Sequence, residues 1–383
     1  MKIARVTATP LNVPLHIDLV GANRKTALAV CHVEVETDDG LTGHGLTSIT
    51  EEDVIAQIVN GVAGPAILGD DPLAHERIWD KLYWTLMPRG QTGYAAHALA
   101  AIDIALWDIK GKALNMPVWR LLGGAHLRVP VYATFGFGFF DREQLAAAAR
   151  LWVAQGFTRL KMTVANDALR HRGSRPIMEV IREDATRVRA VREAVGADIE
   201  LFIDANCNLD LYHATKLAEL VKPYGISFFE EPLTQNDVLG MAQLRRATGM
   251  ALACGQNEGL AFRFRDLLVH EAIDYAQPNV AITGGFSQCA KIAGMAQAFN
   301  VSVANGGAWG FHNMHLQAGV ANGTLVEHHY LAVELCKQIY RGLPEPADGH
   351  LTMPQTPGLG FEPNRDAIRE IAKLPPSQGR GKG

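Results

Sequence analysis

From Val129 onward the chain repeats one pattern: a short apolar run, then an alanine-, leucine- and arginine-rich stretch with helical period. The runs are PVYATF, TRLKMTV, ELFID, SFFEE, ALACGQ, YAQPN, VSVAN and TLVEH. Runs of this length bounded by turn residues read as strands, and each has a helix to carry the chain back to the same edge. Eight such units in succession are the signature of a (β/α)8 TIM barrel, an α/β fold whose functional groups stand at the C-terminal ends of the strands. The last residue or two of each run is therefore where a site is to be sought. The connection NDALRHRGSRPIMEVI, after the second run, is longer than the others and predicts a loop with a short helix over the mouth.

The residues before the barrel are of another kind. IARVTATPLNV and ALAVCHVEVET alternate as strands, with Asp38-Asp39-Gly40 as a turn. A helical zone follows, in which Ile102, Leu106, Ile109 and Ala113 form one apolar stripe. Leu122-Gly123-Gly124 marks a boundary, and residues past Pro346 are turn-rich, ending in a frayed LPPSQGRGKG. The expected units are 1–125, 126–345 and 346–383.

Composition narrows the partners. A net charge of −4 offers no basic face for nucleic acid and no polybasic stretch for a membrane surface. The five cysteines, Cys31, Cys207, Cys254, Cys289 and Cys336, lack CxxC spacing, which argues against a disulfide framework or a thiolate metal site. The N-terminus reads as a strand rather than a signal peptide, so the expected compartment is cytoplasmic and the expected ligand a small molecule.

Asp204, Glu230 and Gln256 end three consecutive strands, one unit apart each time, and so converge on one side of the mouth. Clustered oxygen donors without cysteine or histidine suit a hard cation such as Mg²⁺. Taken singly, such residues more often cap the following helix. A shift of the strand end would put Asn257 or Glu258 in place of Gln256.

These residues sit in EDATRVRAVREAVGADIELFIDAN, FFEEPL, CGQNEG, QPNVAITGG and PGLGFE. Through them the chain resembles the mandelate racemase subgroup of the enolase superfamily over almost its whole length. The resemblance implies a modified barrel under an α+β capping domain made from the N-terminus and the returning C-terminus. It also implies Mg²⁺ at Asp204, Glu230 and Gln256, removal of a proton next to a carboxylate, and a homo-oligomer. Glu327, in TLVEHH, matches a carboxylic acid that hydrogen-bonds the substrate carboxylate, a role requiring a raised pKa.

Several positions depart from the subgroup's pattern. Lys161 matches the first lysine of its KxK signature, but the second is Thr163. Asn279 and Asn305 stand where an Asp–His dyad is usual. A racemase that works from two faces needs a base on each, and the usual pair is absent. A dehydratase with Lys161 as base, its pKa lowered by Mg²⁺, and Thr163 holding a hydroxyl fits better; an epimerase with a non-standard second base, or a barrel without turnover, is the alternative. His312, three residues before His315 in NGGAWGFHNMHL, is the expected replacement acid. His44, Thr47 and Ser48 in the capping domain, Arg24 and Lys25 before them, and Asn206, Asn279 and Asn305 at the strand ends are the expected substrate contacts.

Overall fold

Alternating burial produces the first sheet: β1 (Ile3–Leu19), β2 (Ala22–Thr37) and β3 (Thr42–Ser48) form an antiparallel meander. The computed structural model describes residues 1–48, 51–87 and 92–374, so residues 375–383 of the tail lie outside it. Helix Tyr94–Ala113 lies on the meander so closely that a Cβ at Gly43 or Gly45 would meet the Ala105 or Ala101 carbonyl oxygen at 2.1 or 2.0 Å. Only glycine permits that approach. The stripe of Ile102, Leu106 and Ile109 is thus one side of a helix buried on nearly every side, since Ala98, Ala101 and Ala105 are covered as well. Its far side meets barrel helix Gly285–Ala298, where the buried Asp103 accepts hydrogen bonds from Ser287 N–H and Oγ–H.

The barrel strands are β4 (Arg128–Gly136), β5 (Arg159–Thr163), β6 (Glu200–Asp204), β7 (Ile226–Glu230), β8 (Leu252–Cys254), β9 (Tyr275–Ala276), β10 (Ser302–Ala304) and β11 (Gly323–His329). All run parallel, and β11 pairs back onto β4 to close the ring. Tyr132, Phe202, Phe228, Ala253, Ala304 and Leu325 fill the interior as one cluster, with Phe202 and Phe228 stacked at 4.0 Å between ring centroids. Because side chains alternate along a strand, the inward positions above this plug are Thr134, Asp204, Glu230 and Glu327, joined by Lys161 from β5. An apolar floor therefore lies under a charged layer.

The connection after β5 differs from expectation: residues 166–175 are turns without a short helix, and the 19-residue helix Ile177–Val195 starts only after Pro176. Pro176 sets the helix start, since the residue before a proline is steered from helical geometry. The C-terminal chain returns across the molecule. Helix Tyr330–Ile339 packs against β1 and β2, β12 (Tyr340–Arg341) pairs with β14 (Glu362–Pro363), and β13 (His350–Thr352) adds antiparallel to β4. Arg365 then pairs with Glu34 of the meander. No helix among the described residues is long and apolar enough to cross a membrane, and all five cysteines are free thiols.

Candidate active site

Lys161 is the hub of the charged layer. Its Nζ lies 2.8 Å from Glu230 Oε2, 3.1 Å from Glu327 Oε1 and 3.3 Å from Asp204 Oδ2, and the side chain is 1% exposed. The neighbours follow from register, since Asp204 pairs with both Thr163 and Glu230 across the sheet. Burial works against the ammonium, but Glu230, Glu327, Tyr132 and Asp204 outweigh it and hold Lys161 well above the usual lysine range. The lowered lysine pKa expected from sequence is thus not what these carboxylates by themselves produce.

Glu327 departs from expectation in the same way. Burial would raise its pKa, but Lys161 and His329, the Thr134 hydroxyl and the Ala308 N–H together hold it below the usual range. Thr134 donates to Oε1 and Ala308 N–H donates to Oε2 at 2.6 Å, so Glu327 is a carboxylate with its lone pairs engaged. Glu230 shifts the other way, well above its usual range, through burial and the Asp204 charge.

A buried carboxylate oxygen without a partner is rare, and Glu230 Oε1 is one. Asp204 is in register with Glu230 on the strand to one side, and Gln256 follows two residues past the end of β8 on the other. The Gln256 amide is oriented by Glu231, whose Oε2 accepts from Gln256 Nε2 at 2.8 Å and from Asn257 Nδ2 at 2.7 Å, while Asn236 donates to Oε1. Gln256 Oε1 is thereby turned toward the loop at Gly307, where an added Cβ would stand 3.1 Å from it. Glu258 is drawn away by Arg263 at 2.9 Å and by Asn236. Among the described residues no three histidine, cysteine or acidic side chains form a metal cage; the third oxygen here is an amide, and the ammonium sits among the carboxylates. Asp204, Glu230 and Gln256 thus present a hard-oxygen set with one oxygen unpartnered, which fits a divalent cation.

Asn279 and Asn305 are not free to touch a substrate. Asn279 Nδ2 donates to the carbonyls of Gly306 and Gly307 at 2.8 and 2.9 Å, and its Oδ1 accepts from Ala281 N–H and Asn313 Nδ2. Asn305 Nδ2 donates to Gly306 and Ala308 carbonyls, and its Oδ1 accepts from Glu327 N–H. Every polar atom of both amides is thus engaged within the protein, and both Nδ2 groups brace residues 306–308, the segment whose Ala308 N–H holds Glu327. Asn313, which sequence reasoning passed over, completes the brace.

His312 is also displaced from the chemistry. Ala308 and Trp309 take left-handed φ values of 67° and 58° before helix Gly310–Gly319, which turns His312 toward the capping side. There its ring packs against Phe361 and Tyr340, at 5.2 and 5.6 Å, with neither nitrogen hydrogen-bonded. Burial, with His44, His315 and His32 nearby, keeps its pKa well below the histidine range. Thr47 is committed to His97 Nδ1 at 2.6 Å, and His44 Nε2 donates to the Phe361 carbonyl at 2.9 Å. Both lie inside the capping domain; the Ser48 side chain is outside the described residues.

Of the remaining expected contacts, Thr163 lies two residues past the inward-facing Lys161 on β5 and so faces the mouth. Thr163 stands in register with Asp204, its hydroxyl donating to the Gly136 carbonyl at 3.0 Å with its lone pairs left to accept. Asn206 is exposed beside Asp204, to which its N–H donates at 2.8 Å. Arg24 and Lys25 are exposed near the β1–β2 turn, with the Arg24 guanidinium 4.7 Å over the Phe139 ring. Thr134 and Glu231 were legible only as a strand residue and a neighbour of Glu230.

Residues 2–123 match the mandelate racemase / muconate lactonizing enzyme N-terminal domain family, and residues 144–367 match the enolase C-terminal domain-like family. Arabinonate dehydratase from Saccharolobus solfataricus is 30% identical over 354 residues, covering 90% of this chain and 91% of that protein. The 3,6-anhydro-alpha-L-galactonate cycloisomerase of Streptomyces coelicolor is 30% identical over 381 residues, covering 97% and 99%. Among solved structures, a Streptomyces coelicolor racemase with bound magnesium superposes with a TM-score of 0.86 at 28% identity, covering 96% of this chain and 99% of that one.

Proposed function

We propose, on the premise that this chain belongs to the mandelate racemase and muconate lactonizing enzyme family, that it is a Mg²⁺-dependent dehydratase of an acid sugar or small hydroxy acid. The observation that carries this reading is the convergence of Asp204, Glu230 and Glu327 on Lys161 at the C-terminal mouth of the barrel. It is supported by a relative that is an arabinonate dehydratase and by a structural neighbour that holds magnesium.

Asp204, Glu230 and Gln256 are the residues that would hold the cation. When bound there, Mg²⁺ supplies positive charge at a developing enolate and relieves the carboxylates that otherwise hold the Lys161 proton. Lys161, as the neutral amine, takes the proton α to the substrate carboxylate. The C–O bond to the β-hydroxyl then breaks, the electron pair leaves with the oxygen, and the Lys161 ammonium gives up the proton it took, so the hydroxyl departs as water and the amine is neutral again. Tautomerisation yields a 2-keto-3-deoxy acid. Glu327 holds Lys161 in place, Thr163 accepts a hydrogen bond from a substrate hydroxyl, and Arg24 and Lys25 meet a distal carboxylate. Asn279 and Asn305, at the two positions where the subgroup usually carries its second base, are amides spent on the loop, which disfavours two-base racemisation.

A second reading, cycloisomerisation, is favoured by the cycloisomerase that covers 97% of this chain. It shares the α-proton chemistry but loses no water. Proton NMR in D₂O with Mg²⁺, over a panel of mono- and diacid sugars and hydroxy acids, separates them. A new methylene beside a ketone is the expected result. A methylene in a product lighter than its substrate by one water marks the dehydratase, whereas a methylene in an isomer of the substrate, formed by opening a ring ether at the β-carbon, supports the cycloisomerase; exchange alone supports an epimerase, and silence across the panel counts against turnover.

A further inference from the structure

Alternation along β11 puts a histidine where no expectation placed one. Leu325 belongs to the apolar plug and Glu327 faces Lys161, so His329, two residues on, is the next inward position toward the mouth. His328 faces outward as the same alternation requires, packing on Phe157 and Trp152 at 5.1 and 5.7 Å. His329 pairs in register with Thr134, which itself holds Glu327. The residue is partly exposed, unlike the fully buried His312.

Its ring is fixed on two sides. As the cap of helix Tyr330–Ile339, its Nδ1 accepts from Ala332 N–H at 3.4 Å, which leaves the ring proton of the neutral form on Nε2. One flank packs on Phe137 at 5.4 Å; Phe137 stacks on Phe139, under the Arg24 guanidinium. This wall runs from the charged layer to the capping hairpin.

We propose that His329 is a specificity-determining residue whose Nε2–H donates a hydrogen bond to a hydroxyl of the bound acid. The assignment rests on the reading of this mouth as an acid-sugar site. His329 keeps its proton throughout and no transfer is assigned to it. Its place on the wall between the charged layer and Arg24 puts a neutral donor between Lys161, which meets the substrate's α-carbon, and Arg24, which meets its distal carboxylate. A carbohydrate acid with hydroxyls along its chain is therefore preferred over a plain dicarboxylate of the same charge.

The test is isothermal titration of the full chain with Mg²⁺, using the tartrate stereoisomers and succinate as probes. These acids carry the same charges and differ in their hydroxyls. His329→Asn is the main variant, because asparagine preserves the helix cap while its shorter amide falls back from the mouth. The ratio of tartrate to succinate affinity is expected to fall about five- to tenfold, as one lost hydrogen bond implies, with succinate affinity and Tm unchanged. An unchanged ratio overturns the proposal, as does an equal loss for both acids. His329→Leu removes donor and cap together and should give the same ratio with a lower Tm; a ratio restored to the wild-type value overturns the proposal as well. A wild type that turns over acid sugars while the ratio stays fixed overturns this inference alone. A wild type that neither binds these acids nor turns over any overturns the acid-sugar reading, and this inference with it.

Discussion

Lys161 Nζ and Glu230 Oε2 lie 2.8 Å apart with both side chains buried, on inward positions of β5 and β7 that flank Asp204 of β6. The ammonium is the positive centre among three acids, so its removal leaves their charge uncompensated. Lys161→Met is expected to lower stability in EDTA by about 3–5 kcal/mol and to slow turnover by about 10²–10⁴-fold. Urea unfolding and steady-state rates check both. A variant of unchanged rate sinks the base assignment.

The asparagine brace gives a second expectation. Asn279→Asp restores a residue usual at that position in the subgroup, yet it replaces the Nδ2 donor with an oxygen facing the carbonyls of Gly306 and Gly307. It is expected to destabilise the protein by about 1–3 kcal/mol rather than to create racemase activity. Tm, and α-deuterium exchange for both enantiomers of a hydroxy acid, read the two effects separately.

What was legible in the sequence, and what was not, divides along physical lines. Asp204 and Glu230 could be read because strand ends recur at the unit spacing and their side chains must face the mouth. The Thr134–Glu327 contact could not, since it crosses the seam where the last strand pairs with the first. Asn279 and Asn305 could be read as missing dyad residues, but not as a brace, because the groups that occupy them are backbone carbonyls of a folded loop. His312 was misplaced because two left-handed residues, Ala308 and Trp309, set the helix phase after the turn. His329 follows from the same alternation that identified Glu327, and only register distinguishes it from His328.

Asp103 makes stability depend on pH at the join between capping domain and barrel. Burial, opposed by the Ser287 hydrogen bonds, raises its pKa to about 7. The folded state therefore keeps a proton that the unfolded chain has lost, so this residue's contribution is fully present below about pH 4 and lost as pH rises to about 7. The loss is at most roughly 1.4 kcal/mol per pH unit across that window. Asp103→Asn lacks this slope, so the variant's Tm should gain on the wild type from pH 5 to pH 8. Parallel Tm curves would refute it.

Buried histidines act in the opposite sense. Burial lowers His32 and His97 to about 4 and His315 to about 3. Each is neutral when folded but protonated when unfolded below about pH 6.5, so stability falls as pH drops from about 6.5 toward 4. His312 contributes to the same loss, and both its nitrogens lack partners among the Tyr340 and Phe361 rings. His312→Phe is expected to raise the Tm at pH 5 more than at pH 8 and to leave kcat within about twofold. A large fall in kcat would return His312 to the catalytic set.

Gln256 sets the charge of the proposed cation site. Two carboxylates and an amide leave a dication neutralised, whereas Gln256→Glu adds a negative charge and puts a second carboxylate against buried Glu231. Without metal, the Gln256 Nε2 donor to Glu231 is lost and like charges meet, so the Tm in EDTA should fall. Mg²⁺ relieves that repulsion, so the Mg²⁺-induced rise in Tm should exceed that of the wild type, and Mg²⁺ affinity should increase about tenfold or more. Thermal shift against Mg²⁺ concentration measures both without relying on turnover. If Gln256→Glu binds Mg²⁺ no more tightly, Gln256 Oε1 is not a ligand, and the cation must be held by Asp204 and Glu230 with another donor.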